Sequence, residues 1–311
     1  MKEFEFTNIR RKITFEHQKF DIYCHSAHKI SKAYRTNRIH THDVFEILLC
    51  RSDNIFLLNN DVISLLQKND LLLFNDTDVH GIITDPDMTF DRYVLMFEPG
   101  FVRELCSTYN LLDCFHRAPG KAVSICHLTE EQADNIISFY DTLKQYNKYD
   151  SDIIKLKKKI VLAEMLLEIN ILFSESSIKP RVELHSDPQY EKIQCILSFI
   201  NNNLAGELSL EIISKQFYIS ISYLSALFKD VTGSSLNNYI ITKRILLATD
   251  LLRQNRPVTA VTELCGFNNY SHFIRTFKKF EGVSPKQYAV RWRNKERLDM
   301  ETPGQKRREV K

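Results

Sequence analysis

The sequence predicts an α+β chain of several domains: a strand-rich, barrel-like N-terminal part, a helical hairpin, and an all-α C-terminal domain. Three observations carry this. Short apolar runs broken by Asn, Asp and Gly recur about every ten residues from Ile13 to Cys126. After Thr129 the apolar spacing turns helical. A stretch around Ser222 then returns in residue type 49 positions later.

In the first part, the runs VFEILLC, NIFLL, VISLL, DLLLF, HGIIT and RYVLMF read as strands of a barrel or sandwich. Thr129 and Gln132 form a capping-box start, followed by Ile136, Ile137, Tyr140, Leu143 and Tyr146 at helical spacing. The polar break KYDSD separates a second helix, from about Ile153 to Phe173. Its expected stripe is Leu156, Ile160, Ala163, Leu167 and Ile171, widened by Val161, Leu162, Met165 and Leu166. That face is broader than one neighbour needs, so the hairpin reads as a packing element or as a dimer interface. SESSIKPRVELHSDPQ, with two prolines, reads as a linker, and the charged, aperiodic C-terminal end as a disordered tail.

The expected domains are therefore a barrel-like domain at 1–127, the hairpin at 128–173, the linker at 174–189, a helical domain at 190–292 and the tail at 293–311. A length of 311 residues, 43% of them hydrophobic and 26% charged, allows two cores and excludes a fibrous or wholly disordered chain. There is no run of 18 uncharged apolar residues, and the start MKEFEFTNIRRK has no signal-like apolar region. The expectation is a cytoplasmic protein with no membrane partner. Seven scattered cysteines, none in a CxxC pair, read as reduced thiols. Charge is divided: Pro188 to Lys311 carries 19 Lys and Arg against 11 Asp and Glu, whereas the rest carries 23 against 28. A polyanionic partner suits the C-terminal part alone.

The repeat shows why. Ser222, Leu224, Phe228, Lys229, Gly233, Ser235 and Tyr239 match Ser271, Phe273, Phe277, Lys278, Gly282, Ser284 and Tyr288. Each copy follows a short helix, LSLEIISKQF or PVTAVTELCGF, and a turn that places Ser220 or Asn269 as the cap of the next helix. This is the helix-turn-helix pattern twice over. Ile241, Ile245, Ala248 and Leu252 make a helical stripe between the copies, a strut that holds two readers at fixed separation. Phe273, Phe277 and Phe280 point inward, leaving Asn269, Tyr270, Ser271, Ile274 and Arg275 outward, with Arg275 as base-edge reader and Lys278 and Lys279 as phosphate contacts. The first copy offers Ser222, Ser225 and Lys229, fewer strong base contacts, so the second copy is expected to supply more of the direct readout.

Residues 208–291, about a quarter of the chain, resemble the paired helix-turn-helix domain of AraC/XylS transcription regulators. The text that carries the resemblance is SxxYLxxLFKxxTGxSxxxYI from Ser220, RxxxAxxLL from Arg244, and GFNNYSHFxRxFKKxxGxSPxxY from Gly266. Ser214 and Thr262 stand where the family usually has Ala, and Tyr218 where Gly is common in the first turn. The resemblance implies sequence-specific binding of double-stranded DNA, activation more often than repression, RNA polymerase as a partner, and a homodimer.

IHTHDVFEILL places His40, His42 and Glu46 in an HxHxxxE arrangement, which strand alternation turns to one face, and His80 ends a later strand. This text resembles the cupin barrel in the form that AraC-type regulators carry as a sensor, with NDLLLFNDTDVH as its second motif. The donor set leaves two alternatives: a divalent transition ion, or a metal-free pocket for a small effector or structural cluster. No catalytic residue is assigned, and a metal-dependent cupin enzyme with a DNA-binding appendage is the competing class.

Overall fold

The computed structural model describes residues 10–11, 22–27, 39–83, 90–103, 105, 109–115, 125–175 and 188–300. The N-terminal part contains β1 (Arg10–Arg11), β2 (Ile22–Ala27), β3 (Thr41–His42), β4 (Phe45–Cys50), β5 (Ile55–Asn59), β6 (Val62–Leu66), β7 (Asp70–Phe74), β8 (His80–Ile83), β9 (Arg92–Phe97) and β10 (Ile125–His127). A five-stranded sheet in the order β10-β7-β4-β9-β2 faces a three-stranded sheet in the order β6-β5-β8, and β1 pairs with β3. Asn54, Asn60 and Asn69, with φ of 60°, 55° and 71°, reverse the chain between successive strands from β4 to β7. Asparagine tolerates this left-handed backbone better than other residues with a side chain.

Every residue of β4 is buried, because its two faces are both covered. Leu48 and Cys50 face a core between the sheets shared with Ile55, Leu57, Leu66, Leu72 and Phe74. Phe45, Ile47 and Leu49 face the helices. These are α1 (Gly100–Arg103), α2 (Glu130–Tyr146) and α3 (Asp152–Glu175), with a 3-10 turn at Asp113–Phe115. The expected capping box is present at Thr129 and Gln132, and Ile136, Tyr140 and Leu143 are buried. On α3 the broad apolar face divides. Leu162, Met165, Leu166 and Ile169 enter the core, and Leu156, Ile160, Leu167 and Ile171 are exposed.

The C-terminal domain comprises α4 (Pro188–Asn202), α5 (Leu210–Gln216), α6 (Ile221–Thr232), α7 (Leu236–Arg253), α8 (Val258–Leu264), α9 (Tyr270–Glu281) and α10 (Pro285–Met300). The proposed linker falls mostly on residues 176–187, outside the described residues, and α4 begins at Pro188. Helix α10 continues to Met300, so the first part of the segment read as an aperiodic tail is helical; residues 301–311 lie outside the described residues.

Two cores flank α7. Its C-terminal half packs Ile245, Ala248 and Leu252 with Val261, Phe273, Phe277 and Phe280. Its N-terminal half packs Leu236, Tyr239 and Ile240 with Ile196, Leu224 and Phe228 from α4 and α6. Ile39, Leu58, Ile63 and Val79 of the strand-rich part join that same cluster. The strand-rich part thus packs against the first helical unit.

Candidate nucleic-acid interface and effector site

The two helix-turn-helix units are built alike. Ser220 caps α6 by accepting from the Tyr223 amide at 3.2 Å, and Asn269 caps α9 by accepting from the His272 amide at 2.8 Å. Gly233 and Gly282, at φ of 68° and 76°, end the two helices. The small residues where the helices of each unit cross turn their hydroxyls back: Ser214 donates to the Glu211 carbonyl at 3.0 Å and Thr262 to the Val258 carbonyl at 2.9 Å.

The turns differ in space but not in backbone. Tyr218 and Gly266 both take positive φ, 53° and 73°. A Cβ at Gly266 would stand 2.3 Å from the Leu204 carbonyl oxygen, so glycine is required there. Tyr218 is 94% exposed and has room for its ring.

On α6, Ser222 and Lys229 are exposed and Ser225 is half-buried. Ile221 and Tyr223, which the sequence reading did not select, share that open side, and the Lys192 ammonium lies 5.6 Å from the Tyr223 ring centre. On α9, Tyr270, Ser271, Arg275, Lys278 and Lys279 are exposed and Ile274 is half-buried. Asn269 is exposed, but its carbonyl oxygen is committed to the cap. Arg275 and Lys278 have no ion pair among the described residues. On α6, exposed Lys229 is followed by exposed Asp230, so the second helix presents the stronger positive field.

The strand-rich part brings His40, His42 and His80 together, each with a ring nitrogen within 4.8 Å of the others. Glu46 joins them by a different route from simple alternation. The chain bends at Asp43 and Val44, which separates β3 from β4. Glu46 then lies 2.8 Å from His42 Nε2 and 3.5 Å from His80 Nε2. His42 Nδ1 is 2.8 Å from the Val44 carbonyl. A carbonyl and a carboxylate only accept, so His42 donates from both nitrogens as an imidazolium. Burial pulls the His42 pKa down, but the bond to Glu46 and its charge outweigh it and raise the pKa above the ordinary value. Burial pushes Glu46 up, but His42 and His80 hold its carboxyl well below the usual range.

His80 stacks on Phe74, ring centres 4.1 Å apart, and neither of its ring nitrogens forms a hydrogen bond among the described residues. Asn59 is directly opposite His80 in the β5–β8 pairing, and His40 is opposite on the other side. Neighbours across strands share a face. Asn59 is 1% exposed, and neither end of its amide is paired among the described residues. It belongs to the site, and only strand register could reveal it. Buried polar groups without a hydrogen bond are costly, and among the described residues Asn59 and His80 carry such groups side by side, next to His40.

Comparison with known proteins follows this division. Residues 213–291 match a helix-turn-helix domain model and residues 19–136 an AraC-like ligand binding domain model. Multiple antibiotic resistance protein MarA of Escherichia coli (strain K12) is 36% identical over 99 residues, 32% of this chain and 78% of MarA. The chain belongs to the AraC family of transcriptional regulators. A longer AraC-family match is the HTH-type transcriptional activator RhaR of Pectobacterium atrosepticum, 25% identical over 262 residues, 83% of this chain and 88% of RhaR. The probable transcriptional regulator LumQ of Photobacterium leiognathi is 30% identical over 114 residues, which is 36% of this chain but 46% of LumQ. The chain therefore spans about half the length of that relative. Among solved structures, the C-terminal domain of AraT, a response regulator from Geobacillus stearothermophilus, is 27% identical, covering 34% of this chain and 86% of that chain at a TM-score of 0.32. The DNA-binding domain of AdpA in complex with a target DNA is 27% identical, covering 35% of this chain and 96% of that chain, also at 0.32. Among the described residues, no helix is long and apolar enough to cross a membrane.

Proposed function

We propose that this chain is a sequence-specific activator of transcription that binds double-stranded DNA as a homodimer and answers to a small effector held by its N-terminal domain. One observation carries the reading. Two capped helices, α6 and α9, are held at the ends of a single 18-residue strut, and both turn exposed polar or basic faces outward. At 1.5 Å per residue the strut is about 27 Å long, close to the scale of one turn of duplex, about 34 Å. The similarity to RhaR over both domains supports activation, and contact with RNA polymerase in the cytoplasm is part of the same proposal.

In the interface, Arg275 reads a base edge, while Lys278 and Lys279, with Lys229 on α6, contact phosphates. Tyr270, Ser271, Ile274 and Ser222 complete the contact surface. Arg275→Ala is expected to weaken specific binding by about 1–3 kcal/mol and to relax preference at one base pair. An unchanged footprint and affinity would remove α9 from the reading role.

For the effector site, the cluster as arranged suits a small hydrogen-bonding ligand better than a bare cation. His42 and Glu46 already neutralise each other, His80 Nε2 stands 3.5 Å from the same carboxylate without a hydrogen bond, and neither end of the Asn59 amide is bonded among the described residues. A divalent transition ion is the rival occupant, because the three ring nitrogens are close enough to share it. Binding an ion through His42 must release the proton that it holds toward Glu46. Titration with Zn²⁺ in two buffers of different ionisation heat separates the two: no binding heat is expected, and binding with release of about one proton would establish the ion. The cupin-enzyme reading needs that ion and falls with it.

A further inference from the structure

The residues next to the histidine cluster also hold the DNA-reading domain. Ile39 precedes His40, and its amide donates to the Thr232 carbonyl at the end of α6 at 3.1 Å. Val79 precedes His80 and packs in the cluster that contains Leu224, Leu227 and Phe228. Between these lies Asn60, next to the unpaired Asn59.

Every polar group of Asn60 is engaged, some on each side of the domain boundary. Toward the His80 strand, its amide N–H donates to the Val79 carbonyl at 2.6 Å, and its side-chain Nδ2 donates to Asp78 at 3.0 Å. Its Oδ1 accepts from the Val79 amide at 3.2 Å. Toward α7, its carbonyl accepts from the Tyr239 hydroxyl at 2.7 Å, and its Oδ1 accepts from the Lys243 ammonium at 2.8 Å. Tyr239 and Lys243 are four residues apart, one turn of the strut that carries both readers. The left-handed backbone at Asn60, φ 55°, holds this two-sided geometry.

The geometry points to Asn60 as a positioning residue that couples the histidine cluster to α7, so that a ligand on the row Asn59, His80 and His40 and the reading strut bias one another. A ligand that draws in the Asn59 amide or His80 moves the peptide units on both sides of Asn60, and any such movement is shared with Tyr239 and Lys243. The coupling is reciprocal by linkage: a change in α7 alters the cluster by the same free energy. Its biological meaning rests on the cluster being the effector site, but the coupling itself is measured without any ligand.

The test is a mutant cycle read by hydrogen–deuterium exchange of α7 amides in the full chain. His80→Ala is expected to raise exchange across residues 236–253 about threefold in the otherwise native chain. In the Asn60→Gly background, which keeps the left-handed backbone and removes the amide, the same substitution should change exchange by less than about 1.5-fold. Lys243→Met, which removes only the ammonium on the reader side, should reduce the His80→Ala effect in the same direction. An effect of His80→Ala that is equal in all three backgrounds, or absent from α7 in the native one, would overturn the relay. The effector reading fails separately: His40→Ala with His42→Ala leaving the target-gene response intact would remove the site while the exchange result still decides the coupling.

Discussion

Tyr218 and Gly266 show how one backbone conformation meets two different constraints. Both sit in the turn of a helix-turn-helix unit with positive φ, but only Gly266 presses against a neighbour, the Leu204 carbonyl. Gly266→Ala should therefore destabilise the domain by at least about 2 kcal/mol, from overpacking added to left-handed strain. Tyr218→Gly, at an exposed site, should gain up to about 1 kcal/mol by relieving that strain. Urea unfolding midpoints check both, and a loss of stability in Tyr218→Gly would mean that the ring makes contacts its exposure does not suggest. The turn conformation at Tyr218 was foreseeable from its place in the repeat. Asn59 was not, because nothing adjacent in the chain reveals that its amide faces His80; the register of β5 against β8 does.

At the scale of elements, α9 and α3 behave differently for a reason visible in their residues. Helix α9 has one apolar side, Phe273, Phe277 and Phe280, so its buried and reading faces could be assigned from spacing alone. Helix α3 is apolar nearly all round. Spacing named one broad apolar face, the stripe Leu156, Ile160, Ala163, Leu167 and Ile171 widened by Val161, Leu162, Met165 and Leu166. The position of α2 and the five-stranded sheet decides that Leu162, Met165 and Leu166, with Ile169, are buried while Leu156, Ile160, Leu167 and Ile171 stay exposed. The exposed set, with Ile153, repeats at coiled-coil intervals and forms a patch that a second copy of α3 would cover. The proposed homodimer would use this patch, and Leu156→Glu with Ile160→Glu is expected to weaken self-association at least about a hundredfold, because each buried aliphatic contributes roughly 1.5–3 kcal/mol. Sedimentation equilibrium measures it, and an unchanged mass would remove α3 from the interface. On the reading helices, Lys229→Ala and Lys278→Ala should each lower affinity for every DNA sequence and reduce the salt slope by about one. A loss confined to one sequence would make either residue a base reader.

At the scale of the molecule, the strand-rich domain grips α7 at two places. Asn60 meets Tyr239 and Lys243 near its start. At its end, Arg253 pairs with Asp76 at 2.6 Å, bonds to the Tyr288 hydroxyl at 3.0 Å, and lies over Trp292 at 4.2 Å. Arg253 thus ties the loop before His80 to both α7 and α10. Asp76→Asn, which leaves the aromatic packing of Arg253 in place, should weaken docking by about 1–3 kcal/mol. Small-angle scattering would then show a larger radius of gyration, and an unchanged curve would show that the pair does not hold the domains together. The first helical unit shares a core with the strand-rich part, whereas α10 meets it through the Asp76–Arg253 pair.

What the sequence determined by itself was whatever repeats or alternates over short distances. This includes the strand runs, the capped helices, the two matched readers, and the HxHxxxE text with its distant His80. Local spacing encodes these because one element's periodicity decides which of its side chains share a face. What the tertiary structure alone decided depends on contacts between residues far apart in the chain. These are the face that α3 buries, the place of Asn59 in the histidine row, the approach of His80 to Glu46, and the hold of Asn60 and Asp76 on α7. Asn60 and Lys243 are 183 positions apart, and no local pattern records a hydrogen bond formed only when two separately folded cores meet.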